Sequence, residues 1–325
     1  MSAARILNLD PATHVRHATH QGDRIWAETN CYTDVVIELL HALGFEPLAA
    51  MAFALTVDWD VDQWTFFKFP HEDVEEQFAV ALFELAPWRP LHEHVHAHVA
   101  AGRPVLVELD SWFLPDTAGT AHHRAHVKST VAVNHIDLDA QRLGYFHNQG
   151  YFELEGDDFV GCFQSEGLAH PRMLPPYIEF LKPIPGRAAL QGKDRTDASL
   201  AQLQRQLSRL PPTNPIRAFK TQMQADLGWL QDAGLEGFHT YSFATLRQYG
   251  AAYELAASHL AWLERCGVDG LSTAQEALLR ISRSAKATQF QLARAMARRR
   301  TPVLDALDEQ ASAWDQAMDS LSARA

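Results

Sequence analysis

One cysteine stands where a helix should begin. The stretch Trp26-Ala-Glu-Thr-Asn-Cys-Tyr-Thr-Asp34 runs straight into Val35-Val36-Ile37-Glu38-Leu39-Leu40, and Asn30 or Thr29 is of the residue type that caps a helix N-terminus. Cys31 then falls in the first turn, where unpaired backbone N–H groups and the positive end of the helix dipole favour a thiolate. A thiolate is the nucleophilic form of cysteine. The plainer reading of a lone cysteine, a small buried hydrophobe, stands beside this one.

Two later stretches supply partners for a thiol. His126 opens the β-like run His126-Val-Lys-Ser-Thr-Val-Ala-Val133, and the next run, Arg142-Leu-Gly-Tyr-Phe-His147-Asn148, ends in an amide that could orient an imidazole. Cysteine at a helix start, histidine at a strand start and Asn or Asp at the end of the next strand is the chain order of papain-like thiol enzymes. With 17 histidines in the chain, a core or surface role for His126 is an equal alternative.

These residues need a scaffold, and the text divides into two parts. Up to about Pro185, β-like runs (Phe53 to Val57, Trp64 to Phe69, Pro104 to Leu109, Val127 to Val133, Leu143 to Phe146) alternate with helical stretches at Tyr32 to Leu43 and Glu72 to Leu85. Prolines 171, 175, 176, 183 and 185, followed by Gly186 and Gly192, read as a linker. Beyond it Leu200, Leu203, Leu207 and Leu210, then Leu246 to Leu263, then Leu304 to Leu321 repeat at helical spacing. Thr301 with Pro302, and Ser272 with Gln275, look like helix starts. The expectation is an α+β chain: a papain-like α/β domain over 1–186 and an all-α bundle of about five helices over 190–325. The bundle's stripes are packing surfaces, with no cofactor box among them.

Composition narrows the function. The net charge of −12 disfavours nucleic acid and anionic membranes, which need a positive field. The apolar runs fall short of the ~18 residues a membrane span needs. No secretory signal is readable at Met1 to Asp10, so a cytoplasmic location is expected. Cys31, Cys162 and Cys266 are too scattered for a disulfide framework. The tract Leu91-His-Glu-His-Val-His-Ala-His-Val99 puts His94 and His98 on one helix face. No second ligand cluster accompanies it, so it reads as a half-buried helix and no metal is expected. Glycine patterns for nucleotide phosphates are missing.

Trp26 to Leu40, Asp58 to Phe67 (Asp-Trp-Asp-Val-Asp-Gln-Trp-Thr-Phe-Phe), Asp110 to Thr120 (Asp-Ser-Trp-Phe-Leu-Pro-Asp-Thr-Ala-Gly-Thr) and Leu143 to Tyr151 resemble the bacterial family called domain of unknown function 1839. More distantly, the cysteine, the Asp-aromatic-Leu-Pro turn and the histidine-led strand are similar to the N-terminal domain of butirosin biosynthesis protein H. That resemblance implies a papain-like acyltransferase that moves an aminoacyl group from an acyl carrier protein thioester to an amine. By matching position, Cys31 carries over as nucleophile, His126 as base and Asn148 as orienter. Where papain-like enzymes place an oxyanion-stabilising Gln, this chain has Arg24-Ile25-Trp26. Asn30, Glu28 or the Cys31 backbone N–H remain as oxyanion donors or site support, and peptidase activity is disfavoured.

The function expected is therefore thiol-dependent acyl or aminoacyl transfer to a small amine substrate. No cofactor is bound; phosphopantetheine arrives on the carrier. Trp112, Phe113 and Tyr151 are candidates for an aromatic wall, and Asp110 and Asp116 for holding a cationic amine, although both carboxylates would equally suit a turn. The rival readings are a papain-like cysteine hydrolase and a carrier-binding scaffold without turnover. From Ala277 to Leu304 the chain carries Arg280, Arg283, Lys286, Arg294, Arg298, Arg299 and Arg300 with no Asp or Glu. A solvated helix face explains this, and so does docking of an acidic acyl carrier protein at Arg294, Arg298, Arg299 and Arg300.

Overall fold

The computed structural model describes residues 3–22, 24–27, 30–164 and 176–323. They form two compact units, and each draws on more than one stretch of chain. The first takes Met1–His20, Cys31–Pro47 and Val74–Ala189; the second takes Gln21–Asn30, Leu48–Asp73 and Leu190–Ala325. The second unit thus gathers 21–30 and 48–73, which a linear reading assigns to the first.

The first unit is built on an antiparallel sheet. Its strands are β1 (Ala4–Arg5), β4 (Val80–Glu84), β5 (Val105–Asp110), β6 (Lys128–Asp137), β7 (Arg142–His147), β8 (Gly150–Glu155) and β9 (Ile178–Pro183). Two further strands, β2 (Trp59–Asp60) and β3 (Gln63–Trp64), form a hairpin in the second unit. The large sheet runs β4-β9-β5-β6-β7-β8, with β1 added beside the far end of β6. Strand β9 falls within the stretch read as linker: it ends in Pro183 and pairs with both β4 and β5, while Pro171 and Pro175 lie outside the described residues. Similarly, Glu72 to Leu85 is not one helix. Helix α2 (His71–Phe78) stops, Ala79 takes a positive φ, and β4 follows.

Alternation along β5 sets the two faces of this sheet. Val105, Val107 and Leu109 join Val131, Val133, Tyr145 and Phe180 in a core that includes Val95 and Val99 of helix α3 (Leu91–Ala100) and Phe159 and Cys162 of α4 (Asp157–Cys162). Leu106, Glu108 and Asp110 point the other way. Helix α1 (Cys31–Ala42) packs against β6 and β7. The Tyr32 hydroxyl in its first turn donates to Glu179 at 2.8 Å, and Glu179 is the register partner of Leu106.

Helix α1 also holds the N-terminal segment. Glu38, wholly buried, accepts from the His14 ring (3.0 Å), the His20 ring (2.5 Å) and the His17 backbone N–H (3.0 Å). Burial alone would raise the Glu38 pKa, but these hydrogen bonds and the His20 charge outweigh it and bring the value down to about 2.

The second unit is a helical assembly of α5 (Gly192–Leu207), α6 (Pro215–Ala244), α7 (Leu246–Arg265), α8 (Ser272–Ala297) and α9 (Asp305–Ser322). Helix α6 starts as its sequence dictates, with Pro215 in the first turn and Asn214 accepting from the N–H groups of Ile216 and Arg217, and it breaks at Gly234 (φ 68°). Two expected starts differ. Leu271 precedes α8 with no side-chain cap, its own N–H donating instead to Glu264 (3.0 Å), and α9 begins at Asp305, after Thr301 and Pro302. Phe53 to Val57 is also not a strand; Ala52–Thr56 coils into a 3-10 helix that packs on α5 and α7. The β2–β3 hairpin puts Trp59 and Trp64 against Phe219 and Tyr249. Trp26 is fully buried with its indole N–H donating to the Ser282 carbonyl, over Gly250, where a Cβ would sit 2.5 Å from the ring. Among the described residues, no helix is long and apolar enough to cross a membrane.

A carboxylate whose folded pKa is depressed stabilises the fold above its unfolded pKa and loses that contribution as pH falls through the folded value. Glu38 therefore contributes fully above about pH 4.5 and progressively less towards about pH 2. Glu38→Gln should lower stability at pH 7 and narrow the gap to wild type as pH drops from 5 towards 2, read from urea unfolding midpoints. A gap that stays constant over that range would remove Glu38 from the ionic network.

Candidate active site

Helix α1 begins at Cys31 itself, and the cysteine is half-buried in its first turn. The other two thiols differ. Cys162 is buried in α4, where burial pushes its pKa well up, and its Sγ lies 3.7 Å from the Phe113 carbonyl oxygen. Cys266 is exposed at the end of α7.

His126 sits two residues before β6, on the connection from β5. Its Nδ1 lies 2.6 Å from Asp110 Oδ2, and its ring stacks on Trp112 at 4.4 Å and 8°. A carboxylate can only accept, so Nδ1 carries the proton and Nε2 is left as the basic nitrogen. Asp110 is itself fixed, because its other oxygen accepts from the Trp112 N–H at 3.0 Å. The result is an imidazole with a defined tautomer and plane, its side chain still 66% exposed. That exposure leaves room for a reacting partner.

Asp110 thus takes the place expected for Asn148. Asn148 lies in the β7–β8 turn with a φ of 47°, and its role there is conformational. It is Asn and Asp that best tolerate such a backbone. Asp110 orients the histidine and is a poor candidate for holding a substrate amine.

Asp116 is more fully committed. It accepts from the Tyr145 hydroxyl (2.6 Å) and from His147 Nδ1 (2.6 Å), and His147 Nε2 in turn lies 2.6 Å from Ser129 Oγ. Asp116 and His147 side chains are 5% and 1% exposed. A Ser-His-Asp relay in chemical order is therefore present, but it is sealed within the sheet and ties the Pro115–Thr117 turn to β6 and β7. Nothing in the sequence pairs residues 116, 129 and 147. The adjacent carboxylate and burial keep Tyr145 neutral, its pKa far above the usual phenol value.

Tyr151 is likewise interior. It is 2% exposed, accepts from Asn134 Nδ2 at 3.1 Å and packs on Phe146, so it belongs to the core and not to a substrate wall. Trp112 and Phe113 lie on a short 3-10 turn, Ser111–Phe113. Asn30 is buried and donates from its amide to the Phe67 carbonyl (2.8 Å), a structural tie. Glu28 and Thr29 lie outside the described residues.

The histidine tract is helix α3. His94 is buried and its Nε2 accepts from the Trp88 and Arg89 N–H groups, while His98 packs on Phe180 at 4.3 Å. Burial lowers the pKa of His92, His94 and His98. In the second unit, Arg294, Arg298, Arg299 and Arg300 are exposed at and beyond the end of α8. Arg294, Arg298 and Arg300 line a groove of about 260 Å³ with Val303, a residue 72% exposed.

Two family models cover the chain: the DUF1839 N-terminal domain matches residues 15–183, and the DUF1839 C-terminal domain matches residues 192–323. The chain belongs to the DUF1839 family. No curated protein matches it. The break between the two DUF1839 matches falls just after β9 and just at α5. Cys31, Asp110 and His126 all lie within the N-terminal match.

Removing the Asp116 carboxylate strands two buried donors. Asp116→Ala should destabilise the protein by on the order of 1–3 kcal/mol for each group left without an acceptor, and Tyr145→Phe, which removes only one donor, should cost less. Urea unfolding of the two variants measures this; equal and negligible losses would mean the turn is held by other contacts.

Proposed function

We propose that this DUF1839 protein is a thiol-dependent acyl or aminoacyl transferase with a papain-like arrangement, in which Cys31 is the nucleophile, His126 the base and Asp110 the group that orients it. The observation carrying this reading is the 2.6 Å Asp110–His126 contact beside β6, the strand against which α1, headed by Cys31, packs. Chain order, residue type and a defined imidazole tautomer agree on acid–base assistance to a thiol.

In the first step the Cys31 thiol gives its proton to His126 Nε2 as Sγ attacks the thioester carbonyl. The C–S bond to the carrier's phosphopantetheine then breaks, and its sulfur takes that proton. One thioester is exchanged for another, so the demand on the catalyst is modest. In the second step the amine nitrogen bonds to the acyl carbon, the C–S bond to Cys31 breaks, and His126 takes the amine proton and passes it to the departing Cys31 sulfur. The Cys31 backbone N–H is the oxyanion donor most consistent with a helix start.

The same exposure of His126 supports a second reading. Water reaches an imidazole that is 66% exposed, and an acyl-cysteine within its reach would hydrolyse, which makes the protein a cysteine hydrolase unless the acyl donor covers the site. Transfer is favoured where a large carrier excludes that water. The exposed arginines at the end of α8 suit an acidic acyl carrier protein.

Mixing the protein with a loaded carrier should add the acyl mass to Cys31, and Cys31→Ala should abolish the adduct while melting as wild type does. Asp110→Ala and His126→Ala should each slow acylation by roughly 10²–10⁴-fold, the usual range for a positioned acid–base group. Added amine should then discharge the adduct faster than water. Discharge by water alone at an equal rate selects the hydrolase, and no adduct under any donor leaves a binding scaffold.

Reversing Arg298, Arg299 and Arg300 to Glu should weaken carrier binding, mainly through the association rate, and flatten its salt dependence. Acylation of Cys31 by a small thioester should be unchanged. Carrier-dependent turnover that survives the reversal at low salt would make these arginines a solvated face.

A further inference from the structure

The connection between β5 and β6 carries, besides His126, two adjacent histidines that the acyl-transfer reading does not use. His122 Nε2 lies 3.0 Å from Asp158 Oδ2, and His123 Nε2 lies 3.2 Å from Asp158 Oδ1. The two rings stack at 4.0 Å and 26°. One ligand atom from each of the three residues falls within 4.8 Å of the other two. His122 and Asp158 are largely covered, with side chains 21% and 16% exposed, and His123 lies outermost at 60%.

We propose that His122, His123 and Asp158 form a binding site for a divalent cation of the zinc class, clasping the β5–β6 connection to α4. The chemistry of the three donors selects the ion. Two imidazole nitrogens and one carboxylate oxygen match the ligand preference and open-position pattern of zinc, whereas calcium and magnesium want oxygen-rich sets. With each imidazole proton on Nδ1, both Nε2 lone pairs face Asp158, one towards each carboxylate oxygen, and the stacked rings must splay for both to meet one ion. The fourth position is left for water or an incoming ligand atom. Cys162, four residues beyond Asp158, does not supply it, since that thiol is buried against the Phe113 carbonyl and held protonated.

The placement gives the ion a role. Helix α4 supports the Ser111–Phe113 turn: Gly161 lies so close under the Phe113 ring that a Cβ there would come within 2.2 Å of it. Trp112 in that turn lies 6.1 Å from the His123 ring and stacks on His126. A cation fixing His122 and His123 to α4 therefore braces the segment on which His126 is mounted.

The test uses the full-length protein, stripped with a chelator, and zinc itself as the probe. Calorimetric titration should show one tight zinc ion per chain, and cobalt substituted for zinc should give the visible absorption of a low-coordinate nitrogen and oxygen site. His123→Gln, at the exposed position, should keep the metal-free melting temperature and weaken zinc binding by more than about 100-fold, the upper end of what losing even an outer partner of a metal ligand costs. Asp158→Asn should weaken it similarly. Zinc should raise the melting temperature of wild type and not of either variant. Because Cys31 can also take zinc, the tight ion must persist in Cys31→Ala. The proposal is overturned if wild type binds zinc no more tightly than His123→Gln, or if the tight ion disappears in Cys31→Ala and survives in His123→Gln. None of these measurements involves acyl transfer, so the outcome is independent of the proposed reaction.

Discussion

Two carboxylates six residues apart hold the β5–β6 connection, and each holds a different histidine. Asp110, the last residue of β5, points away from the α3-side core and takes the His126 Nδ1 proton. Asp116 takes hydrogen bonds from Tyr145 and His147. The 3-10 turns at 111–113 and 115–117, with Pro115 between the two carboxylates, carry the chain from one to the other. If Asp116 were free, the turn would lose its anchor on β7, and Trp112 and His126 would ride on a connection held by the His122 and His123 contacts to Asp158 and by the turn's own hydrogen bonds. A buried carboxylate fully satisfied by hydrogen bonds is stable where an unsatisfied one is costly. The position of the Asp110–His126 pair therefore rests in part on the buried contacts of Asp116.

Parts of this arrangement were legible in the sequence because they depend on local spacing. A capping-type residue followed by an apolar run placed the start of α1 at Cys31, and a β-branched run placed His126 just ahead of a strand. The helical stripes after residue 190 corresponded to α5 to α9, since a stripe needs only a neighbouring surface to bury it. The α3 histidines read correctly as a half-buried face. Local rules failed where other partners overrode them: β9 is a strand because β4 and β5 flank it, although it ends in Pro183, and Ser272 caps nothing because the Gln275 N–H is already bonded to the Leu271 carbonyl.

The pairings that define the site were less legible. Asp110 is 16 residues from His126, Asp116 is 31 from His147, and Asp158 is 36 from His122. Each contact arises from antiparallel register or helix docking, which periodicity does not encode. Asn148 was a reasonable orienter by chain order, but one residue past the end of β7 the backbone enters a tight turn with positive φ. The carboxylate at the end of β5 is nearer in space because Asp110 and Lys128 are register partners.

Histidine shows how far residue type alone is from function. In α3, the His94 lone pair is consumed by two backbone N–H groups and the His98 ring is spent on Phe180. His147 is enclosed between Ser129 and Asp116. In each of these a strong donor or an apolar surface has taken what the ring offers. His126 differs because only its Nδ1 is engaged by Asp110 while its ring remains largely open to solvent. His122 and His123 differ again, with two Nε2 atoms converging on one carboxylate. The distinction between packing, the proposed acid–base chemistry and the proposed metal capture is therefore a matter of which ring nitrogen the fold has already used, and in what direction the other one is left to point.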